Sequence, residues 1–140
     1  MEIKFKKLSS RAVIPRYSRE DDAGADITAT RIERHERFVE YGTDLAVSIP
    51  KGYVGFLCPR SSITNKELVL KNSVGVLDTG FFGEIKFRFY PTTGIRADIY
   101  KVGDRIGQLV IVPVKQGTFI EVDDLGTSDR GIGGYGSTGL

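Results

Sequence analysis

Ile85-Lys86-Phe87-Arg88-Phe89-Tyr90 alternates apolar and polar side chains without a break. Successive side chains of a strand point to opposite faces, so a period of two puts Ile85, Phe87 and Phe89 against a core and Lys86, Arg88 and Tyr90 outside. The same alternation recurs where Ile3 and Phe5 interleave with Lys4 and Lys6, and where Leu45, Val47 and Ile49 interleave with Asp44, Ala46 and Ser48. Tyr53–Cys58, Leu68–Leu70, Leu109–Val114 and Phe119–Val122 add runs rich in β-branched and aromatic residues. Tyr41-Gly42, Pro50-Lys51-Gly52, Thr93-Gly94 and Val102-Gly103-Asp104 supply the turns between them. No apolar stripe of helical spacing persists over three turns. The best helical candidate is one short segment around Ser62–Glu67, with Ser61 or Ser62 available as its cap. Many short strands with regular turns predict an all-β sandwich, jelly roll or barrel.

Composition narrows the chemistry. The chain has 140 residues, the size of one domain, with 40% hydrophobic and 27% charged residues. It has one cysteine (Cys58), one histidine (His35), one methionine and no tryptophan. One cysteine excludes an internal disulfide and any CxxC pair, and one histidine excludes a multi-histidine metal centre within a chain. If the protein is an enzyme, carboxylates, hydroxyls, arginines and backbone amides do the work. Twenty Lys and Arg against eighteen Asp and Glu give a net charge of +2, which offers no bulk attraction for long nucleic acid. No stretch approaches the apolar length of a membrane span, and the start MEIKFKKLSS has no signal-like apolar run. With the unpaired cysteine, this leads us to expect a cytoplasmic protein with no nucleic-acid or membrane partner.

The last eleven residues, Arg130–Leu140, contain five glycines beside Arg130, Tyr135, Ser137 and Thr138. A Gly-rich terminus is usually a flexible tail, yet these side chains would suit an anionic, aromatic ligand. Gly131, Gly133 and Gly136 satisfy GxGxxG, but no helix can follow four residues from the end, so a dinucleotide fold is excluded. A glycine-rich flap whose N–H groups approach phosphate remains open. Four further segments stand out: Ala23-Gly24-Ala25-Asp26-Ile27, Pro59-Arg60-Ser61-Ser62, Gly75-Val76-Leu77-Asp78 with Phe81 and Gly83 following, and Arg105-Ile106-Gly107-Gln108. Each has an ordinary structural reading. Asp26 could be a turn residue, Arg60 an ion-pair partner, and Ser61 and Ser62 caps; Asp78 could fix a hairpin, with Gly83 as its positive-φ position. His35 falls in the charged run Arg31–Arg37, a solvated surface, and Cys58 reads as a small core residue.

In combination these segments resemble the trimeric deoxyuridine triphosphatase family. That family is marked by AGxDL, PRSS, a GVIDxxYxG-type hairpin, RxxQ and a C-terminal RGxGGFGSTG. The chain carries them in order as AGADI, PRSS, GVLDTGFFG, RIGQ and RGIGGYGSTG, from residue 23 to residue 139. The resemblance implies a jelly-roll-like β domain over residues 1–129 and a C-terminal arm over residues 130–140 that closes the active site. It also implies a homotrimer with sites shared between subunits and arms exchanged among them.

The activity so implied is hydrolysis of dUTP to dUMP and pyrophosphate, by water attack at the α-phosphorus with Mg2+ carried on the triphosphate. Asp78 matches the aspartate that orients and deprotonates the water. Asp26 matches the one that holds waters on the Mg2+. Asn72, Gly75, Val76 and Leu77 match the hairpin that reads the uracil edge. Phe81 and Tyr135 take the places of the rings on the sugar and the base. Arg60, Ser61, Ser62 and Gln108 match phosphate-binding positions, and Arg130, Gly134, Ser137 and Thr138 match the tail that closes over the β- and γ-phosphates. Arg105 could be a structural ion pair or a substrate contact.

Three positions depart from the family pattern. Phe81 stands for Tyr and Tyr135 for Phe, and each keeps the flat ring. Thr79-Gly80 replaces an acidic pair and makes the hairpin somewhat similar to that of dCTP deaminases. Those relatives need a glutamate where this chain has Arg88, which cannot act as a base near neutrality. The alternatives are thus a dCTP deaminase-like relative, or a phage or viral dUTPase with an added protein-binding regulatory role.

Overall fold

The computed structural model describes residues 1–94 and 97–134. Nine strands run β1 Lys4–Lys7, β2 Gly24–Thr28, β3 Arg31–Arg34, β4 Val39–Ser48, β5 Tyr53–Cys58, β6 Leu68–Leu70, β7 Gly75–Leu77, β8 Glu84–Pro91 and β9 Arg105–Pro113. One 3-10 turn, Ser61–Asn65, interrupts them. The expected all-β architecture is what the chain adopts. Among the described residues no helix is long and apolar enough to cross a membrane.

The strands form two antiparallel sheets. One has the order β1-β4-β8-β6, with β3 also on β4; the other is β2-β9-β5-β7. β4 is the organiser of the first sheet. One of its edges is shared by β3, on Val39–Gly42, and β1, on Leu45–Ser48, while β8 takes the other edge. The core lies between the sheets, where Tyr41, Phe87 and Phe89 of the first meet Ile27, Ile106 and Leu109 of the second. Close approach needs a missing side chain: a Cβ on Gly107 of β9 would collide with the Phe87 ring. The Tyr41 hydroxyl, buried in this core, donates to the Tyr100 carbonyl at 3.0 Å.

Several expectations change at this point. The alternation at residues 44–49 predicts one solvated face, but Asp44 and Ala46 are buried with their neighbours. Asp44 sits in a bulge of β4 at φ +51, where the register with β8 shifts between Gly42 and Ala46. Its carboxylate is satisfied there by Ser9, Arg11 and Arg31. The charged run Arg31–Arg37 lies at the surface as expected, with Glu33–Arg37 exposed, but its first four residues also form β3. The helical segment is shorter than expected and 3-10. Arg60 occupies its N-cap position with no side-chain cap bond, so neither Ser61 nor Ser62 caps it.

Phe119–Val122 forms no strand; the chain leaves the sheets after Pro113, and residues 113–132 are exposed. The departure lies well before Arg130, and its apolar side chains have nothing of their own chain to cover them.

Candidate active site

β2 is short and Gly-led because it must lie flat beside β9. A Cβ on Gly24 would collide with the far end of the Gln108 side chain, so glycine here lets Gln108 keep its present position. Register places Asp26 directly opposite Gln108, and Gln108 directly opposite Cys58 on β5. The chain after Cys58 turns back over this row and brings Arg60 onto Asp26. Arg60 Nε donates to Asp26 Oδ1 at 2.7 Å. Arg105 Nη1 and Ser18 Oγ donate to Oδ2 at 2.9 and 3.0 Å. Arg60 Nη1 reaches the Ser62 hydroxyl at 3.3 Å, and Gln108 Nε2 donates to the Pro59 carbonyl at 3.4 Å. Three separate motifs are thus tied to one carboxylate.

Beside this cluster opens a cleft of about 530 Å3 lined by Arg60, Ser61, Gln108, Ser18 and Arg19. Ser18 and Arg19 escaped the sequence reading, since nothing in Tyr17–Asp22 but its polarity marks them. Arg105 forms an ion pair with Asp26 while its side chain stays about half exposed. Burial pushes the Cys58 thiol above its ordinary range, although Cys58 is half-buried at the end of β5 and not part of the core as expected.

The hairpin residues gather elsewhere. Asn72, Gly75, Val76, Leu77 and Phe81 line a cavity of about 480 Å3 at the opposite edge of the same sheet. Its backbone is held in an uncommon shape: the Val74 N–H donates to the Asn72 carbonyl across Ser73, which has φ +61. Asp78 follows β7 and is exposed. It opens a turn closed by the Phe81 N–H to its own carbonyl at 3.2 Å. Gly80, at φ +90, and not Gly83, supplies the left-handed residue. Gly83 is needed for a different reason: a Cβ there would stand 2.6 Å from the Phe81 ring, which folds over it. Asp78 lines a neighbouring cavity with Tyr53, Phe56 and Thr79; Val76 borders both cavities, whereas Asp78 does not line the first.

The two clusters are far apart. With strands about 4.8 Å apart and about 3.3 Å of rise per residue, the registers of β2, β9, β5 and β7 put Asp26 and Asp78 of one chain roughly 20 Å from each other. Of the tail residues, Arg130 donates through Nε to the Gly133 carbonyl at 2.8 Å, and Gly134 is half-buried. Tyr135, Ser137 and Thr138 lie outside the described residues. Other signals that sequence reasoning passed over are Glu40, a buried acid on β4, and Glu84, a half-buried one on β8. Lys86 and Arg88 hold Glu40, at 2.8 Å each.

Magnesium is implied by the resemblance, and the donor set allows a limited fit. Among the described residues Asp26 is the carboxylate that the three motifs share, and Asp22, which accepts from the Arg19 N–H, lines the same cleft. Asp26 Oδ2 already accepts two bonds and its Oδ1 one. With about two acceptor positions per oxygen, one is left on Oδ1. That suits a contact through water, not direct ligation. Glu33, His35 and Glu40 also lie within reach of one another, but Glu40 is occupied by its two cations.

The dUTPase family model matches residues 10–139. The chain belongs to the dUTPase family. It is 37% identical to the deoxyuridine 5'-triphosphate nucleotidohydrolase of Thermobifida fusca over 99% of this chain and 79% of that one. It is 42% identical to the enzyme of the same name from Tropheryma whipplei, covering 89% and 88%. Among solved structures it is similar to the Staphylococcus bacteriophage 80alpha dUTPase with dUPNHPP. The TM-score is 0.83, with 30% identity and 99% of both chains covered. A mutant dUTPase from phage phi11 of S. aureus, described with a structural Mg(II) ion, gives 0.75 at 27% identity, covering 89% and 99%. As a member of this family the protein is a hydrolase.

Proposed function

We propose that the protein hydrolyses dUTP to dUMP and pyrophosphate, with Asp78 as the base and with each site built from several chains of a homotrimer. One observation carries this reading. The phosphate-type motifs converge on Asp26 at one sheet edge, while the hairpin with Asp78 stands roughly 20 Å away at the other. A single nucleotide cannot engage both ends of one protomer through direct contacts, so the hairpin of one chain serves the cluster of another. The tail, which leaves its own body after Pro113, reaches a further chain and closes the site from Arg130 onward.

In the reaction a water oxygen bonds to the α-phosphorus as the bond to the β-bridging oxygen breaks. The water's proton passes to the Asp78 carboxylate, and pyrophosphate leaves. Mg2+ bound to the triphosphate would neutralise charge on the phosphates, with Asp26 holding one of its waters. Arg60, Ser61, Ser62 and Gln108 would orient the phosphates, the guanidinium fork of Arg60 sharing itself between Asp26 and substrate. Asn72 and the Gly75–Leu77 backbone would pair with the edge of uracil, and Phe81 would lie on the deoxyribose. The arm residues Arg130, Gly134, Ser137 and Thr138 would cover the outer phosphates, with Tyr135 over the base.

Arg88 argues against deaminase chemistry. Its Nε donates to Glu40, so the position is a fixed cation. The deciding assay is pyrophosphate release from dUTP, dCTP, dTTP and UTP with Mg2+ present. Selective release from dUTP supports the reading; release of ammonia from dCTP, or no selectivity for dUTP, overturns it.

A further inference from the structure

We infer that Glu84 is a positioning residue that holds the Asp78–Gly83 turn in place through the bulge of β4; the inference rests on Asp78 acting as proposed above. The two legs of the hairpin belong to different sheets. β7 is laddered to β5, whereas β8 is laddered to β4 and β6. No strand pairing joins the legs to each other, so the turn between them is only as well placed as the first residue of β8.

At that residue the β4–β8 ladder is itself broken. Gly42 pairs with Lys86 and Ala46 with Glu84, leaving three residues of β4 facing one of β8. The Glu84 side chain fills the gap. Its Oε1 accepts from the N–H groups of Thr43 and Asp44, at 3.1 and 3.0 Å. Arg31 donates to both its oxygens, through Nη1 at 3.3 Å and Nη2 at 3.0 Å. Arg31 also bonds Asp44 Oδ1 at 3.1 Å, so the same guanidinium braces the bulge.

One carboxylate thereby does for the start of β8 what backbone pairing does elsewhere. The turn has little else to hold it. Its other hydrogen bonds are the Phe81 N–H to the Asp78 carbonyl and Thr79 Oγ1 to the Pro50 carbonyl at 3.3 Å; the Phe81 ring folds on Gly83, and Phe82, two-thirds exposed, lines a shallow groove with Phe5 and Val47.

This arrangement separates binding from turnover. Gly75–Leu77 are secured by β5 whatever happens at Glu84, so their contacts survive; Phe81 and the Glu84 side chain line the same cavity, so binding shifts too, but less than turnover. Asp78, on the free side of that ladder, loses its aim.

The test compares Glu84→Gln with Ser9→Ala. Gln keeps the shape and one acceptor oxygen but not the charge that holds Arg31. Ser9→Ala removes the 2.7 Å bond to Asp44 at the same bulge without touching β8. For Glu84→Gln we expect kcat for dUTP to fall about tenfold with KM moving less than about threefold. Hydrogen exchange of the Thr79–Gly83 amides should accelerate at the same time. Ser9→Ala should lower the melting temperature and leave kcat and turn exchange unchanged. If Glu84→Gln keeps kcat within about twofold of the parent, or if its turn exchanges no faster, the inference is overturned. The parent is assayed alongside. Should it fail to hydrolyse dUTP, the functional reading falls, and exchange in the turn still decides whether Glu84 positions it.

Discussion

Arg60 Nε donates to Asp26 Oδ1 at 2.7 Å, and that bond joins β2 and the segment after β5 at the wall of one polar cleft. Asp26 is well covered, its side chain 13% exposed, while its other arginine partner, Arg105, is 52% exposed. The two ends of the network therefore differ in worth. Asp26→Asn would leave two guanidiniums without their counter-charge and should destabilise the fold by about 2 kcal/mol. Arg105→Ala removes a mostly solvated pair and should cost less than about 1 kcal/mol. Chemical denaturation of the two variants measures both; equal losses would show that Arg105 carries more of the cluster than its exposure allows.

The buried and half-buried acids of the first sheet make the protein sensitive to acid. The Ser9 hydroxyl, with Arg11 and Arg31, holds the Asp44 carboxyl below its usual range. For Glu84 burial pushes upward, but the bonds from Arg31 and the Asp44 N–H outweigh it. Glu40 behaves likewise, burial being overcome by Lys86 and Arg88. A carboxyl depressed in the folded state binds its proton more readily when unfolded. Its stabilisation is thus complete above the unfolded value, near pH 4 to 4.5, and is lost as pH falls through the lower folded values. Melting temperature should hold from about pH 7 to about pH 5 and then drop. Glu40→Gln should be less stable at neutrality and flatter below. A melting temperature unchanged down to pH 3 would contradict this account.

Asp78→Asn keeps the size and turn geometry of Asp78 but cannot take a proton. Because the base cavity is lined by Asn72, Gly75, Leu77 and Phe81 and not by Asp78, binding should survive while turnover falls by about a hundredfold or more. Calorimetric titration with a non-hydrolysable dUTP analogue, beside steady-state rates, separates the two. Near-normal turnover would remove Asp78 from the chemistry.

What was legible in the chain follows from what determines each feature. Ile85, Phe87 and Phe89 announce β8 because one face of it meets the core and the other does not. β4 hid its full length, since it is covered on both sides and its bulge puts Asp44 and Ala46 inside. β3 was obscured because Arg31–Arg34 pairs through its backbone while only Ile32 of its side chains is apolar. The motif residues were readable one by one, and Arg60, Ser61, Gln108 and Asp26 do converge. Their braces were not: Ser18 and Glu84 act through contacts over long sequence separations, which no local pattern records.

The arm gives the sharpest test of assembly. Phe119 is fully exposed in the single chain and Leu125 is 96% exposed, an arrangement a soluble protein avoids unless another surface covers it. Phe119–Val122 read as strand-like in sequence, and an extended apolar segment without a partner can add to a sheet of another copy. Two truncations should therefore behave differently. Removing residues 130–140 takes away no strand among the described residues, Arg130–Ile132 being exposed and Gly133 and Gly134 half-buried, so the protein should stay assembled and melt within a few degrees of the parent, yet lose most turnover. Removing residues 115–140 takes the apolar segment as well and should shift the mass in light scattering from trimer to monomer. If the longer deletion leaves the assembly intact, subunit contacts lie elsewhere, on the sheets themselves. If the shorter one keeps full activity, Arg130 and the glycines beyond it do not close the site.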